Sequence, residues 1–180
     1  MQLHCVLYNM HLEEAEKLAR LLKKSIRFDV NSSYQIEVVG SVAREESTIK
    51  DIDFLVITPM MKHNFIETIY FADKSIVVTK IADCGDRKCF VHLLIDRKHP
   101  LKIDIFFATK KEKPFALLHH IGPKSYLLRI RRLAKLKGYL LNQYGLFHRD
   151  SDRRVSGEFK TVCDIQKYLD ITCRPSKQRR

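Results

Sequence analysis

Two apolar runs in this chain carry aspartates where a core would have none: DIDFLVIT at residues 51 to 58 and LKIDIFFA at 101 to 108. Both are rich in β-branched and aromatic residues, the composition of strands. Successive side chains of a strand point to opposite faces. Ile52 and Phe54 therefore share one face and Asp51 and Asp53 the other, and Ile103 and Ile105 likewise oppose Asp104. A carboxylate held against a buried sheet is unfavourable unless something positive meets it. The chain has to fold with one sheet face apolar and the other collecting acids, and a cation is required at that second face.

The remaining elements can be read around these two strands. LEEAEKLARLLKKS (12 to 25) spaces Leu12, Ala15, Leu18, Ala19 and Leu22 as an amphipathic helix, with acids early and lysines late as the helix dipole prefers. YQIEVV (34 to 39) reads as a strand, and KSIVVTKIA (74 to 82) and CFVHLLID (89 to 96) flank the turn-like CGDRK. TKKEKP (109 to 114) breaks the pattern. Beyond it, Gly122-Pro123 places proline at the first position of a helix that ends at Gly138. On that helix Lys124, Arg131 and Lys135 fall within about 40° of one another, forming a basic stripe. YLLNQYGLF predicts a strand and turn, DSDRRVSG a loop, and Thr161 the N-cap of a last helix, TVCDIQKYLD, before a frayed basic tail.

Charge divides the chain at the same place. Residues 1 to 109 hold 15 Lys+Arg and 15 Asp+Glu, whereas residues 110 to 180 hold 18 and 6, so the whole net charge of +12 lies in the second part. Concentrated positive charge gains counterion-release free energy from a polyanion, and nucleic acid is the expected one. No apolar run is long enough to cross a bilayer, no basic amphipathic helix suggests a membrane surface, and the first residues lack a signal-peptide pattern. The expected location is intracellular, not secreted. Five cysteines with no paired CxxC spacing fit free thiols better than a disulfide framework or a zinc site.

Asp51 and Asp53 repel each other unless they share divalent cations, and carboxylate oxygens suit Mg²⁺. If the strand bearing Asp104 lies beside the 53 to 58 strand, three carboxylates converge. Such a trio can hold two Mg²⁺ roughly 4 Å apart, the arrangement for in-line phosphoryl transfer. Upstream, Gly40 lets backbone approach a phosphate, Ser41 adds a hydroxyl, AREES can start a helix facing an anion, and Arg44 can reach the same phosphates with its guanidinium fork. A second D-x-D, Asp150 and Asp152, lies in a polar arginine-flanked stretch and reads as a solvated loop.

With those residues in place, GSVAREESTIKDIDFLV resembles the signature of polymerase β-like nucleotidyltransferases, and LLHHIGPKSYLLRIRRLAKLKGYLLNQYGLF resembles the thumb of family X DNA polymerases. The likeness runs from about Val38 to Arg174 and is strongest to small viral members, in which CGxRKC, EKPxA, GPxSYLxRIR and LNQYGLF recur. It implies an α+β fold: a nucleotidyltransferase palm of mixed sheet and helices (1 to 108), then a small basic thumb-like α+β domain (109 to 180) that grips DNA, with no lyase domain. It implies template-directed filling of short gaps in DNA repair, including base excision repair, with dNTP substrates, possible error-proneness and two Mg²⁺ ions for which Mn²⁺ can stand in. Asp51, Asp53 and Asp104 match the metal ligands, with Asp104 nearest the primer 3′-hydroxyl, and Gly40, Ser41, Arg44 and His119 match nucleotide contacts. Lys124 and Lys135 fall on the DNA-facing helix with Arg131, which matches a contact near the templating base. Arg129, Thr172 and Arg174 match positions that bind the 5′-phosphate beyond a gap. Cys84 and Cys89 match a cysteine pair that can form a disulfide. A monomer, a DNA ligase as partner and, for a viral protein, residence in host cytoplasm and virion complete the expectation. A template-independent nucleotidyltransferase would share the palm, and a DNA-binding accessory with a dead site would share the basic half.

Overall fold

The computed structural model describes residues 9–28, 33–59 and 69–175. The chain separates into two compact units, Met1–Phe107 and Ala108–Arg180.

In the first unit, a short strand β1 (Met10–His11) leads into helix α1 (Leu12–Ser25), which buries Ala15, Ala19 and Leu22 along one stripe. Strand β2 (Ile26–Phe28) follows, then β3 (Gln35–Val39), the four-residue helical turn α2 (Gly40–Ala43), β4 (Thr48–Ile49) and β5 (Ile52–Ile57). After β6 (Ile69–Phe71) come three longer strands, β7 (Ile76–Gly85), β8 (Lys88–Ile95) and β9 (His99–Ala108). The main sheet has the order β3-β5-β9-β8-β7, so β5 and β9 are neighbours, while β1-β4 and β2-β6 form two small antiparallel pairs.

Alternation decides which face is buried. Ile52, Phe54 and Val56 of β5, Val91 and Leu93 of β8 and Ile103, Ile105 and Phe107 of β9 join one core cluster with the apolar stripe of α1. The opposite face then receives Asp53 from β5, Lys102 and Asp104 from β9, and Phe90 from β8, which stands in register with Asp104.

The second unit has α3 (Lys113–Ile121), α4 (Lys124–Leu136), the hairpin β10 (Tyr139–Asn142) and β11 (Gly145–His148), and α5 (Val162–Tyr168). Tyr126, Ile130 and Ala134 recur every fourth residue on α4 and pack with Phe115, Leu118, Leu141, Leu146 and Ile165 into a separate core. Gly138 closes α4 in the left-handed region, at φ +82°, which a residue without a Cβ adopts freely. Thr161 caps α5 through a reciprocal capping box with Asp164.

Several expectations need correction. Pro123 is the N-cap of α4 instead of its first helical residue. The 109 to 114 stretch is more ordered than a pattern break: the Glu112 carboxylate accepts the Thr109 N–H at 2.8 Å, and α3 starts at Lys113. AREES does not start a helix, because α2 begins at Gly40 itself and Glu45 leaves helical geometry at φ +57°. Instead of free thiols, Cys84 is bonded to Cys89 across the β7-β8 turn, and Cys163 of α5 is bonded to Cys173. Residues 176–180 of the expected frayed tail lie outside the described residues.

Candidate active site

The acid site is assembled by the end of β3 and two adjacent strands. Val39, the last residue of β3, pairs with Asp53 in β5, so the chain leaves the sheet at Gly40 directly beside the Asp53 carboxylate. Gly40 has φ +65°, and a Cβ built there would lie 1.8 Å from Asp53 Oδ2 and 2.6 Å from its Cγ. The glycine is thus demanded by Asp53 as well as by its backbone angle. One residue on, the Ser41 Oγ is buried with no hydrogen-bond partner. Arg44 follows the turn, its N–H donating to the Gly40 carbonyl at 3.2 Å and its Nε to Glu46 Oε1 at 2.6 Å.

The electrostatics follow from this crowding. Burial, then the neighbouring charges of Asp51 and Asp104, push the Asp53 carboxyl up to about 7, with Arg44 and Lys102 opposing. Asp104 is also raised, mainly by burial, and the Lys102 ammonium holds it back from 3.2 Å. Lys102 was not among the residues expected from the sequence, although strand alternation puts it on the face of Asp104, two positions away. The Phe90 ring carries two ammonium groups, Lys88 at 4.7 Å and Lys102 at 5.0 Å from its centroid.

Among the described residues, no three His, Cys, Asp or Glu side chains stand close enough together to hold a metal ion as they are. The fit to divalent cations lies in the donor set. Asp51, Asp53 and Asp104 offer hard oxygen ligands, the charges of Asp51 and Asp104 raise the affinity of Asp53 for positive charge, and the buried, unpartnered Ser41 hydroxyl next to Gly40 in sequence suits a phosphate oxygen.

The residues expected to touch nucleotide and DNA from the basic half lie in the second unit. His119 and His120 end α3 with their rings 4.7 Å apart. Arg131 does not extend outward with Lys124 and Lys135 as a plain basic stripe would have it. It is half-buried, and its Nη2 donates to His119 Nδ1 at 2.9 Å. Because a guanidinium can only donate, His119 Nδ1 is the acceptor and any ring proton sits on Nε2. Burial and Arg131 lower the His119 pKa, and burial with His119 lowers that of His120 to about 3. Lys124, Arg129 and Lys135 are exposed on α4, with the Arg129 guanidinium 5.2 Å over the Tyr126 ring. Thr172 and Arg174 are exposed on either side of Cys173, whose bond to Cys163 ties that segment to α5.

The described fold matches a solved polymerase β. A ternary complex of Leishmania infantum polymerase beta superposes with a TM-score of 0.70 at 18% identity, covering 96% of this chain and 77% of that one. The likeness defines the class as a polymerase β-type fold. Residues 116–180 match the family model of the DNA polymerase beta thumb. The chain belongs to the DNA polymerase X family: it is 38% identical over 178 residues to Repair DNA polymerase X of African swine fever virus (isolate Warthog/Namibia/Wart80/1980), covering 93% of this chain and 98% of the relative. It is also 26% identical over 132 residues to the DNA polymerase/3′-5′ exonuclease PolX of Bacillus subtilis, of which it covers 21%.

Proposed function

We propose that this repair DNA polymerase fills short gaps by template-directed transfer from a dNTP to a primer 3′-hydroxyl, with Asp51, Asp53 and Asp104 as ligands to two Mg²⁺ ions, or Mn²⁺ in their place. The carrying observation is that Asp53 and Asp104 stand on adjacent strands, on the sheet face away from the core, with Asp51 charging the same spot.

In the reaction the primer hydroxyl gives up its proton to solvent, its oxygen bonds the α-phosphorus, the bridging bond to the β-phosphate breaks, and pyrophosphate leaves. Metal ions held by Asp51, Asp53 and Asp104 would supply Lewis-acid activation of the hydroxyl and charge neutralisation of the triphosphate. This chain's residues supply position. Asp104 would serve the primer hydroxyl, and its partner Lys102 at 3.2 Å would have to release it for the carboxylate to act as a metal ligand. Asp53, whose carboxyl is raised to about 7, would give its proton to solvent on acting as a ligand. Ser41 donates its unpartnered hydroxyl to a phosphate oxygen, and Arg44 swings from Glu46 onto the triphosphate. Gly40 leaves room for Asp53 and for the chain to pass close to a phosphate. In the basic half His119, held by Arg131, meets the nucleotide sugar, and Lys124, Arg129, Arg131, Lys135, Thr172 and Arg174 hold gapped DNA.

Primer extension on DNA with a one-nucleotide gap tests the reading. Asp51→Asn and Asp53→Asn should each lower the rate by about 10³-fold, since metal-based charge stabilisation is worth several kcal/mol. Full activity in either variant removes the two-metal site. Incorporation indifferent to the templating base assigns the site to template-independent transfer instead.

A further inference from the structure

The second unit carries an open cleft that none of the residues assigned above lines. Its volume is about 890 Å³, within the roughly 300–1,000 Å³ of small-molecule sites and enough for one or two nucleotides. Phe115 and Phe159 form its apolar wall, with ring centroids 5.2 Å apart. Arg154 is fixed over that wall, its guanidinium 5.5 Å from the Phe115 ring and its Nη2 donating to the Lys111 carbonyl at 3.0 Å. Lys110, Lys111, Lys113 and Lys160 complete the positive lining. Glu158 is the one acid among the lining residues, and Lys160 pairs with it at 3.2 Å. The cleft therefore keeps a strong positive excess.

The rings do not stop at the cleft. Phe159 meets Tyr168 at 5.4 Å, Tyr168 meets Tyr139 at 5.6 Å, and Tyr139 meets His148 at 5.3 Å. Phe115 is buried and serves the core, but Tyr168 is 41% exposed. A row of aromatic rings thus leads from a cationic cleft toward solvent.

We propose that this cleft and the aromatic row bind single-stranded DNA, as a site separate from the one that holds the gapped duplex. Lysines offer sequence-independent contacts to successive phosphates, and the exposed Tyr168 ring with the half-buried Phe159, Tyr139 and His148 rings can stack bases that have no complementary strand. A duplex keeps its bases stacked on one another and could use only the lysines. A free mononucleotide would leave most of the row empty. The natural occupant is unpaired strand continuing from the DNA on which the polymerase works.

The experiment uses the full chain and a fluorescein-labelled oligothymidylate, read by anisotropy across a salt series. The double variant Lys110→Glu/Lys111→Glu changes only exposed side chains before α3 and should lower single-strand affinity by about tenfold or more and flatten its salt dependence. Affinity for gapped duplex and gap-filling rate should change by less than about twofold, because the duplex is held elsewhere. The protein has no tryptophan, so Phe159→Trp introduces a single indole, and oligothymidylate should quench its fluorescence by stacking. The proposal is overturned by unchanged single-strand affinity in the double variant, by an equal loss on blunt duplex, by displacement of the oligonucleotide by dTMP at equal nucleotide concentration, or by an indole that the strand does not quench.

Discussion

Replacing Gly40 with alanine distinguishes two roles for that glycine. A Cβ at this position would sit 1.8 Å from Asp53 Oδ2, whereas ordinary contact begins near 3.4 Å, so the carboxylate must retreat by about 1.6 Å. The backbone adds a further demand, because alanine at φ +65° costs about 1–2 kcal/mol. A misplacement of about 1 Å at a reacting group lowers the rate by roughly 10²-fold. Gly40→Ala should therefore reduce kcat for gap filling by at least that factor, and denaturant unfolding should show the backbone penalty plus a steric part. The steric part is separable. In an Asp53→Ala background the clashing Oδ2 and Cγ are gone and only the Cβ contact at 2.9 Å remains, so most of the steric part of the Gly40→Ala cost should disappear. If Gly40 matters only because backbone must approach a phosphate, kcat stays near wild type, KM for the dNTP rises, and the stability costs of the two substitutions simply add. That outcome would refute the argument from Asp53.

Three further outcomes follow from the same geometry. The Asp53 pKa is raised from 3.8 to about 7 in the folded chain, so the native state holds a proton that the unfolded state has released between those values. Metal-free protein should lose stability as pH rises from about 4 to 7, by roughly 4 kcal/mol at most; Asp53→Asn should flatten that slope, and an unchanged slope in urea midpoints at pH 5 and 8 would exclude Asp53 as its source. Lys102→Met removes the cation that holds Asp104 and Asp53 down, so the acidic limb of the gap-filling pH profile should move to higher pH; no movement means the lysine is not coupled to the reaction. Removing the 5′-phosphate downstream of a gap should weaken binding to wild-type protein but hardly affect Arg129→Ala or Arg174→Ala, and equal wild-type affinity for both DNAs rules out a phosphate site there.

Local pattern was enough for much of the fold. The spacing of Leu12, Ala15, Ala19 and Leu22 specifies α1, and the capping pair Thr161 and Asp164 specifies the start of α5. Strand alternation alone places Asp53 and Asp104 away from the core, and the adjacency of β5 and β9 brings them together. What escaped depends on partners distant in sequence or on very short elements. Gly40 reads only as room for backbone to approach a phosphate until Asp53, paired with Val39, is seen against it. Lys102 looks like any strand lysine until Asp104 and Phe90 surround it. The α3 helix is hidden because its lysine-rich lead-in and Pro114 resemble a loop, while its buried face of Phe115 and Leu118 is only two turns long. Cys163 and Cys173 give no spacing signal, since only the return of the chain after α5 brings them together.

Phe90 gives the acid site a property beyond shape. Its ring holds the Lys102 ammonium that pairs with Asp104 and also the Lys88 ammonium, which pairs with Asp83 and acts on Asp104 only through its charge. Lys102 is therefore a tethered counterion of Asp104. Such a site works like the resin of an ion exchanger: under the two-metal proposal, loading would displace Lys102 from Asp104, and the ring would keep that ammonium within reach to return when the cations depart.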